Sequence, residues 1–238
     1  VTVAATNVSG ARYGVYATNL ATGAISVTTT GAVSGGSNTG VVVKNTAATG
    51  GALSVNTAGV TGAVFGILAQ NAGLGATSVT STALVTGGSA SGVTVTNVAN
   101  SIGGIAVTTA AVTGANRGID AQQYGSGALS VTANGTVTGT ASVGLLAVER
   151  AGTNLTVNAV AVTGKGRAAI ETYNYGTGTT TVTATGAVNG QAGYGLEAEN
   201  KVAGTGALTV RAAQVTGFAD GIHAINRGSN ALSVTATG

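Results

Sequence analysis

Apolar and polar residues alternate in short runs along this chain, as in Leu129-Ser130-Val131-Thr132 and Ile119-Asp120-Ala121-Gln122. A period of two puts Leu129 and Val131 on one face of a strand and Ser130 and Thr132 on the other. By the same rule Ile119 and Ala121 point one way while Asp120 and Gln122 point the other. No segment carries a helical period, so the pattern predicts strands alone.

The runs return in a fixed order, and internal repetition governs the reading of the whole chain. A Leu/Ile-Ser/Thr-Val strand is clearest at 53–55, 129–131, 208–210 and 232–234. A Val-x-Gly segment follows, ending at Gly10, Gly35, Gly62, Gly87, Gly114, Gly139, Gly164, Gly190 and Gly217. The third segment reads Gly-Ile-x-Ala-x-Asn, as at Gly221, Ile222, Ala224 and Asn226. Its leading glycines, Gly14, Gly40, Gly66, Gly92, Gly118 and Gly144, lie 26 residues apart; Ala169 takes the place after a one-residue slip, and Gly195 and Gly221 resume it. At about 3.3 Å per residue such a unit traces roughly 86 Å, one circuit of a three-sided coil. The expectation is an all-β parallel β-solenoid of nine coils, a single segment over 1–238 with no second domain. At ~4.8 Å per coil it would stand roughly 43 Å tall.

Two finer regularities follow. Four residues after the third-strand Ile/Val/Leu stand Asn19, Asn45, Asn71, Asn97, Gln123, Glu149, Asn174, Asn200 and Asn226. They predict an asparagine ladder, with amides at a corner bonding along the stack and tolerating left-handed backbone angles. The Val-x-Gly glycines are read as turn residues that take positive φ without steric cost. The spacing from first-strand valine to Val-x-Gly valine alternates between 5 (Val3 to Val8) and 6 (Val27 to Val33) through the chain. The true repeat is therefore two coils, and the extra residue must be absorbed in a bulge or wider corner that raises a ridge every second coil.

Composition narrows the kind of core. There are six Tyr, two Phe and no Trp, so any interior is built from Val, Ala, Leu and Ile in thin layers. Nine Lys or Arg against six Asp or Glu give +3, and the basic residues are scattered, which argues against nucleic acid as a partner. No Cys removes disulfides and thiolate metal sites. No apolar run nears the ~18 residues of a membrane helix. The chain opens in mid-phrase and reads as an excerpt from a longer one.

The pattern GALSVTANGTVTG followed by GLLAVER, and GALTVRAAQVTG followed by GIHAIN, resembles the glycine-rich repeat of bacterial autotransporter passengers and related large secreted β-solenoid adhesins. The resemblance covers the whole chain. It implies a right-handed parallel β-helix stalk on the outer surface of a bacterium, exported with the help of a C-terminal barrel that this segment does not contain. Absence of Cys suits export of an unfolded strand. A structural stalk or adhesion segment is the function it implies, and the residues themselves point to no cofactor, no metal and no catalysis. Partners would be other copies, end to end or side by side, or a neighbouring cell or host surface, and a membrane only through a segment outside this chain.

Candidate chemistry is sparse. Glu171, Glu197 and His223, the only histidine, share one outward column, with Glu199, Lys201, Asp220 and Arg227 close by. Stacked carboxylates of this kind can share a proton, hold a cation weakly, or act on polysaccharide. Outward Ser26/Thr28, Ser130/Thr132, Thr181/Thr183 and Ser233/Thr235 form hydroxyl columns that an ice-binding solenoid would use, although Asn56, Ala106, Asn158 and Arg211 interrupt them. Val42, Leu68, Leu146, Val148 and Ile225 are expected as exposed apolar groups for lateral contact. Tyr173 and Tyr175 are candidates for stacking on sugars. A self-assembling filament or sheath subunit is the alternative to the stalk.

Overall fold

A computed structural model describes residues 1–202 and 206–237. The first coil comprises β1 (Thr2–Ala5), β2 (Val8–Gly10) and β3 (Val15–Asn19). The next four coils repeat it: β4 (Ile25–Thr29), β5 (Val33–Gly35), β6 (Val41–Asn45), β7 (Leu53–Thr57), β8 (Val60–Gly62), β9 (Ile67–Asn71), β10 (Thr77–Ser81), β11 (Val85–Gly87), β12 (Val93–Asn97), β13 (Ile105–Thr109), β14 (Val112–Gly114) and β15 (Ile119–Gln123). From there the first two strands of each coil fuse into one bent strand. These are β16 (Leu129–Gly139), β18 (Leu155–Gly164), β20 (Thr180–Gly190) and β22 (Leu208–Gly217), alternating with β17 (Leu145–Glu149), β19 (Ile170–Asn174), β21 (Leu196–Asn200) and β23 (Ile222–Asn226). β24 (Leu232–Ala236) starts a further coil.

Every pairing is parallel and joins a strand to its equivalent one coil away. Third strands form a 9-stranded sheet from β3 to β23, and first and second strands form a 15-stranded sheet. Asn45 and Asn71 are adjacent rungs. The architecture is thus the β-solenoid the repeat predicts, and among the described residues it contains no helix. Inside runs one continuous apolar core whose largest fully buried members include Ile25, Leu53, Ile67, Ile105, Leu129, Leu155 and Leu208. Such side chains stack rung on rung, Ile25 on Leu53 and Ile105 on Leu129 on Leu155, and remove the apolar faces from water as a file and not as a globule.

The two-coil period is visible in the pairing. Register shifts fall between Ala133 and Thr136, Ala159 and Val162, and Ala184 and Ala187, where a long corner meets a short one. The longer corners bring Thr30, Thr82, Asn134 and Thr185 into solvent, whereas Ala58 and Ala110 of shorter ones are half-buried. Val160, in a short corner, is 44% exposed as well, so the extra residue shows as a bulge in register and not as a ridge confined to alternate coils.

Two expectations about corners are corrected. No described residue, glycine or other, has a positive φ. The Val-x-Gly glycines are instead required for close approach: a Cβ on Gly10, Gly62, Gly114 or Gly217 would fall against the carbonyl oxygen of Tyr13, Phe65, Arg117 or Asp220 respectively. The backbone doubles back there with no room for even a methyl group.

The asparagine file exists, but most of its amides serve their own corner. Asn19 Nδ2 donates to Asn45 Oδ1 at 3.2 Å and Asn200 Nδ2 to Asn226 Oδ1 at 2.9 Å, which are rung-to-rung bonds. Asn71 Nδ2 donates instead to Gly75 O at 2.8 Å while its Oδ1 accepts Gly73 N at 2.9 Å, and Asn174 bonds Gly178 O and Gly176 N in the same way. Asn71 is fully buried, so Asn71→Ala orphans groups in the corner and is expected to cost about 1–3 kcal/mol in urea unfolding. A cost no larger than that of a surface substitution would show the corner holds without it.

Candidate functional site

The outer face of the 9-stranded sheet changes character along the rod. In its later coils one outward file reads Asp120, Leu146, Glu171, Glu197 and His223, and the neighbouring file reads Gln122, Val148, Tyr173, Glu199 and Ile225. The structure therefore brings Glu171, Glu197 and His223 into one column and places Glu199 beside it. These carboxylates are not solvated. Glu171 is 1% exposed, Glu199 5% and Glu197 8%, with Arg167 set against Glu171 and Lys201 against Glu199.

Three of these acids have a cationic partner. Asp120 accepts Arg117 Nη1 at 2.7 Å and Gln122 Nε2 at 2.9 Å, and Gln122 Oε1 accepts the Tyr124 hydroxyl at 2.9 Å. Arg167 Nε stands 2.7 Å from Glu171 Oε1, an ion pair without hydrogen-bond alignment. Lys201 Nζ contacts Glu199 Oε2 and lies 4.6 Å over the ring of Tyr173. His223 stacks on Tyr194 with ring centroids 4.6 Å apart, and its Nε2 is 4.0 Å from Glu199 Oε1. Burial pushes the Glu171 carboxyl up to about 7, with the neighbouring Glu197 charge adding to this and Arg167 opposing it. Burial likewise raises the Tyr173 phenol, reinforced by the two carboxylates beside it.

Among the described residues no three Asp, Glu or His side chains converge as a metal would need. Grooves open elsewhere, one beside Thr183, Arg211 and Thr235 and another beside Lys44, Gln70 and Val98. What the acid cluster does chemically is close a charged layer over the sheet, with Asp120, Glu171 and Glu199 each paired with a cation in place.

Nor are the expected exposed apolar groups exposed. Val42, Leu146 and Val148 are buried, and Leu68 and Ile225 half-buried. Leu146 and Val148 pack with Val143 and Tyr173 into a second, external cluster. At a rung spacing of ~4.8 Å, neighbours in a file cover one another as strand partners do. The hydroxyl columns stand in register, Ser130 on Ala106 and Thr132 on Thr108, and their interruptions lie in the same files.

Neither a protein-family model nor a curated protein nor a solved structure matches this chain. The molecule's own geometry is what bears on function.

Two features escaped the sequence reading. Glu149 sits in the ladder fully buried, Oε1 accepting Gly152 N at 2.8 Å, with Oε2 lacking any hydrogen-bond partner. Desolvation drives its carboxyl up to about 8 despite that backbone bond. The second is the file just after the ladder, where Arg150 lies between Tyr124 and Tyr175, its guanidinium 5.4 Å and 5.2 Å from the two ring centroids. Counting one residue past each ladder position would have found that file; nothing in the sequence marks it as a stack.

Proposed function

We propose that this chain is a rigid rod segment of an exported bacterial surface protein, acting mechanically as a stalk or adhesive shaft and catalysing nothing. The observation that carries the reading is the unbroken parallel stack, in which every coil is hydrogen-bonded to the coils next to it. Such a rod transmits load along its axis through ladder bonds arranged in series, and its stability grows with the number of coils. A chain without Cys, relying on stacked coils rather than disulfides, suits assembly outside the cell.

The alternative is a subunit of an extracellular filament. In it, copies of the same all-parallel stack would join end to end or side by side. Negative-stain images of the purified segment separate the two. Discrete rods roughly 43 Å long, from ~4.8 Å per coil, are expected of a shaft. Continuous fibres of this width would favour the filament, and irregular globular particles would refute both.

A further inference from the structure

Five of the six acids, Asp120, Glu149, Glu171, Glu197 and Glu199, are buried. All nine Lys and Arg side chains reach the surface at least in part. Arg117, Arg167 and Lys201 are paired with Asp120, Glu171 and Glu199, which leaves Arg12, Lys44, Arg150, Lys165, Arg211 and Arg227 without a carboxylate partner among the described residues and Asp220 as the one exposed acid. Charge complementarity points to an anionic partner.

Three of the nine cations share one corner. Tyr124, Arg150, Tyr175, Lys201 and Arg227 occupy successive rungs, and their own amides fix the file: Arg150 N donates to Gln123 O, Tyr175 N to Glu149 O, Lys201 N to Asn174 O and Arg227 N to Asn200 O, at 2.7–3.1 Å. Lys201 is turned inward onto Glu199 and Tyr173. Arg150 has no carboxylate partner among the described residues, and the two tyrosine rings occupy its faces. Its guanidinium, set over a ring on each neighbouring rung, carries the fork of N–H donors that binds carboxylate or sulfate with two parallel bonds. Tyr124 and Tyr175, each 37% exposed, offer ring surface on either side.

We propose that this corner is a docking surface for a linear acidic glycan, with Arg150 gripping a carboxylate or sulfate and Tyr124 and Tyr175 packing against the sugar rings next to it. A nucleic acid fits less well. Its phosphates recur every ~3.4 Å along a strand. The uncompensated cations Arg150 and Arg227 lie three rungs apart, roughly 14 Å at the coil spacing. Sparse cations between aromatic faces match a chain whose charges are separated by neutral sugar. The surface is the same whether the rod is a stalk or a filament subunit, and its failure would leave that question untouched.

The test is calorimetric titration of the intact segment with oligogalacturonate, a heparin-derived sulfated oligosaccharide, a neutral malto-oligosaccharide and an oligothymidylate of similar length. Binding to one or both acidic glycans, weakening with salt and absent for the neutral sugar, is expected; the tighter arm identifies the anionic group. Arg150→Ala should cut affinity at least tenfold and Arg150→Lys nearly as much, since lysine keeps the charge and loses the fork. Arg211→Ala, on another face, should leave binding within twofold. Circular dichroism confirms that each variant is folded. Equal binding of the neutral sugar, tighter binding of oligothymidylate, or equal losses from Arg211→Ala and Arg150→Ala would each overturn the proposal.

Discussion

Gly118→Ala is expected to lower the stability of the rod by about 1–3 kcal/mol, the usual cost of forcing a methyl group into a packed site. A Cβ there would lie 2.5 Å from Val137 Cγ1, 2.6 Å from Gly144 O and 3.0 Å from Thr138 O. None of these atoms is the free end of a flexible chain, so the coil above must lift. The molecule already shows the consequence at Ala169, which holds the equivalent place. The ladder bond of the next residue, Ile170 N to Gly195 O, is 3.2 Å there, against 2.8–3.0 Å for Val41, Ile67, Val93, Ile119 and Leu145. Ala169 N is itself shared between Tyr194 O and Gly195 O. Thermal and urea unfolding of Gly118→Ala beside Ala169→Gly checks the argument. The first should be clearly destabilised and the second close to neutral, since the methyl group's strain and the entropy of a new glycine offset one another. Equal, negligible effects would mean that the close approach does not constrain the coil.

Glu149→Gln should stabilise the protein at alkaline pH and leave it nearly unchanged in acid. Glu149 Oε2 and Gln123 Oε1 are on adjacent rungs, both buried without a hydrogen-bond partner. A proton on the carboxyl supplies the donor that this stretch of the ladder lacks. The folded state raises the carboxyl from 4.5 to about 8. It therefore holds a proton that the unfolded chain has already released, and the stability contributed by that proton is complete below pH 4.5 and lost as pH rises toward 8. The full difference is on the order of a few kcal/mol at one unit per 1.36 kcal/mol. Glutamine carries a permanent donor of the same shape. The gap between variant and wild type, measured by urea unfolding, should open from pH 4.5, widen to about 8, and then stay constant. Glu171, raised to about 7 by its own burial, titrates in both proteins and cancels in the comparison. A gap that does not change with pH would place an ordinary, solvated carboxylate at this rung.

Much of this architecture could be read from particular residues. Val55, Val79 and Val107 mark the first-strand file, and the 26-residue return of Ile67, Val93 and Ile119 fixes which residues share a rung. The alternating 5 and 6 spacing locates the bulges to within a residue or two of Ala133, Ala159 and Ala184. The acid cluster was legible as a column, since Glu171, Glu197 and His223 share a phase of the repeat. Its burial was not, because alternation says only whether a side chain points away from the core. Whether it then meets water depends on Arg167, Tyr194 and Lys201 arriving from corners and neighbouring coils. The same limit hid the covered state of Val42, Leu146 and Val148, and the sandwich of Arg150 between rings from the coils on either side.

The strands, their order, the pairing of equivalent residues and the direction of each side chain were set by the sequence alone, because a parallel stack of near-identical coils allows one register that keeps the first-strand and Val-x-Gly valines inside. Tertiary structure alone decided which outward groups stay in solvent, why the corner glycines tolerate no Cβ, and which ladder amides bond to their own turn. Those outcomes depend on distances between atoms some 26 residues apart, which the periodicity of the chain orders but does not measure.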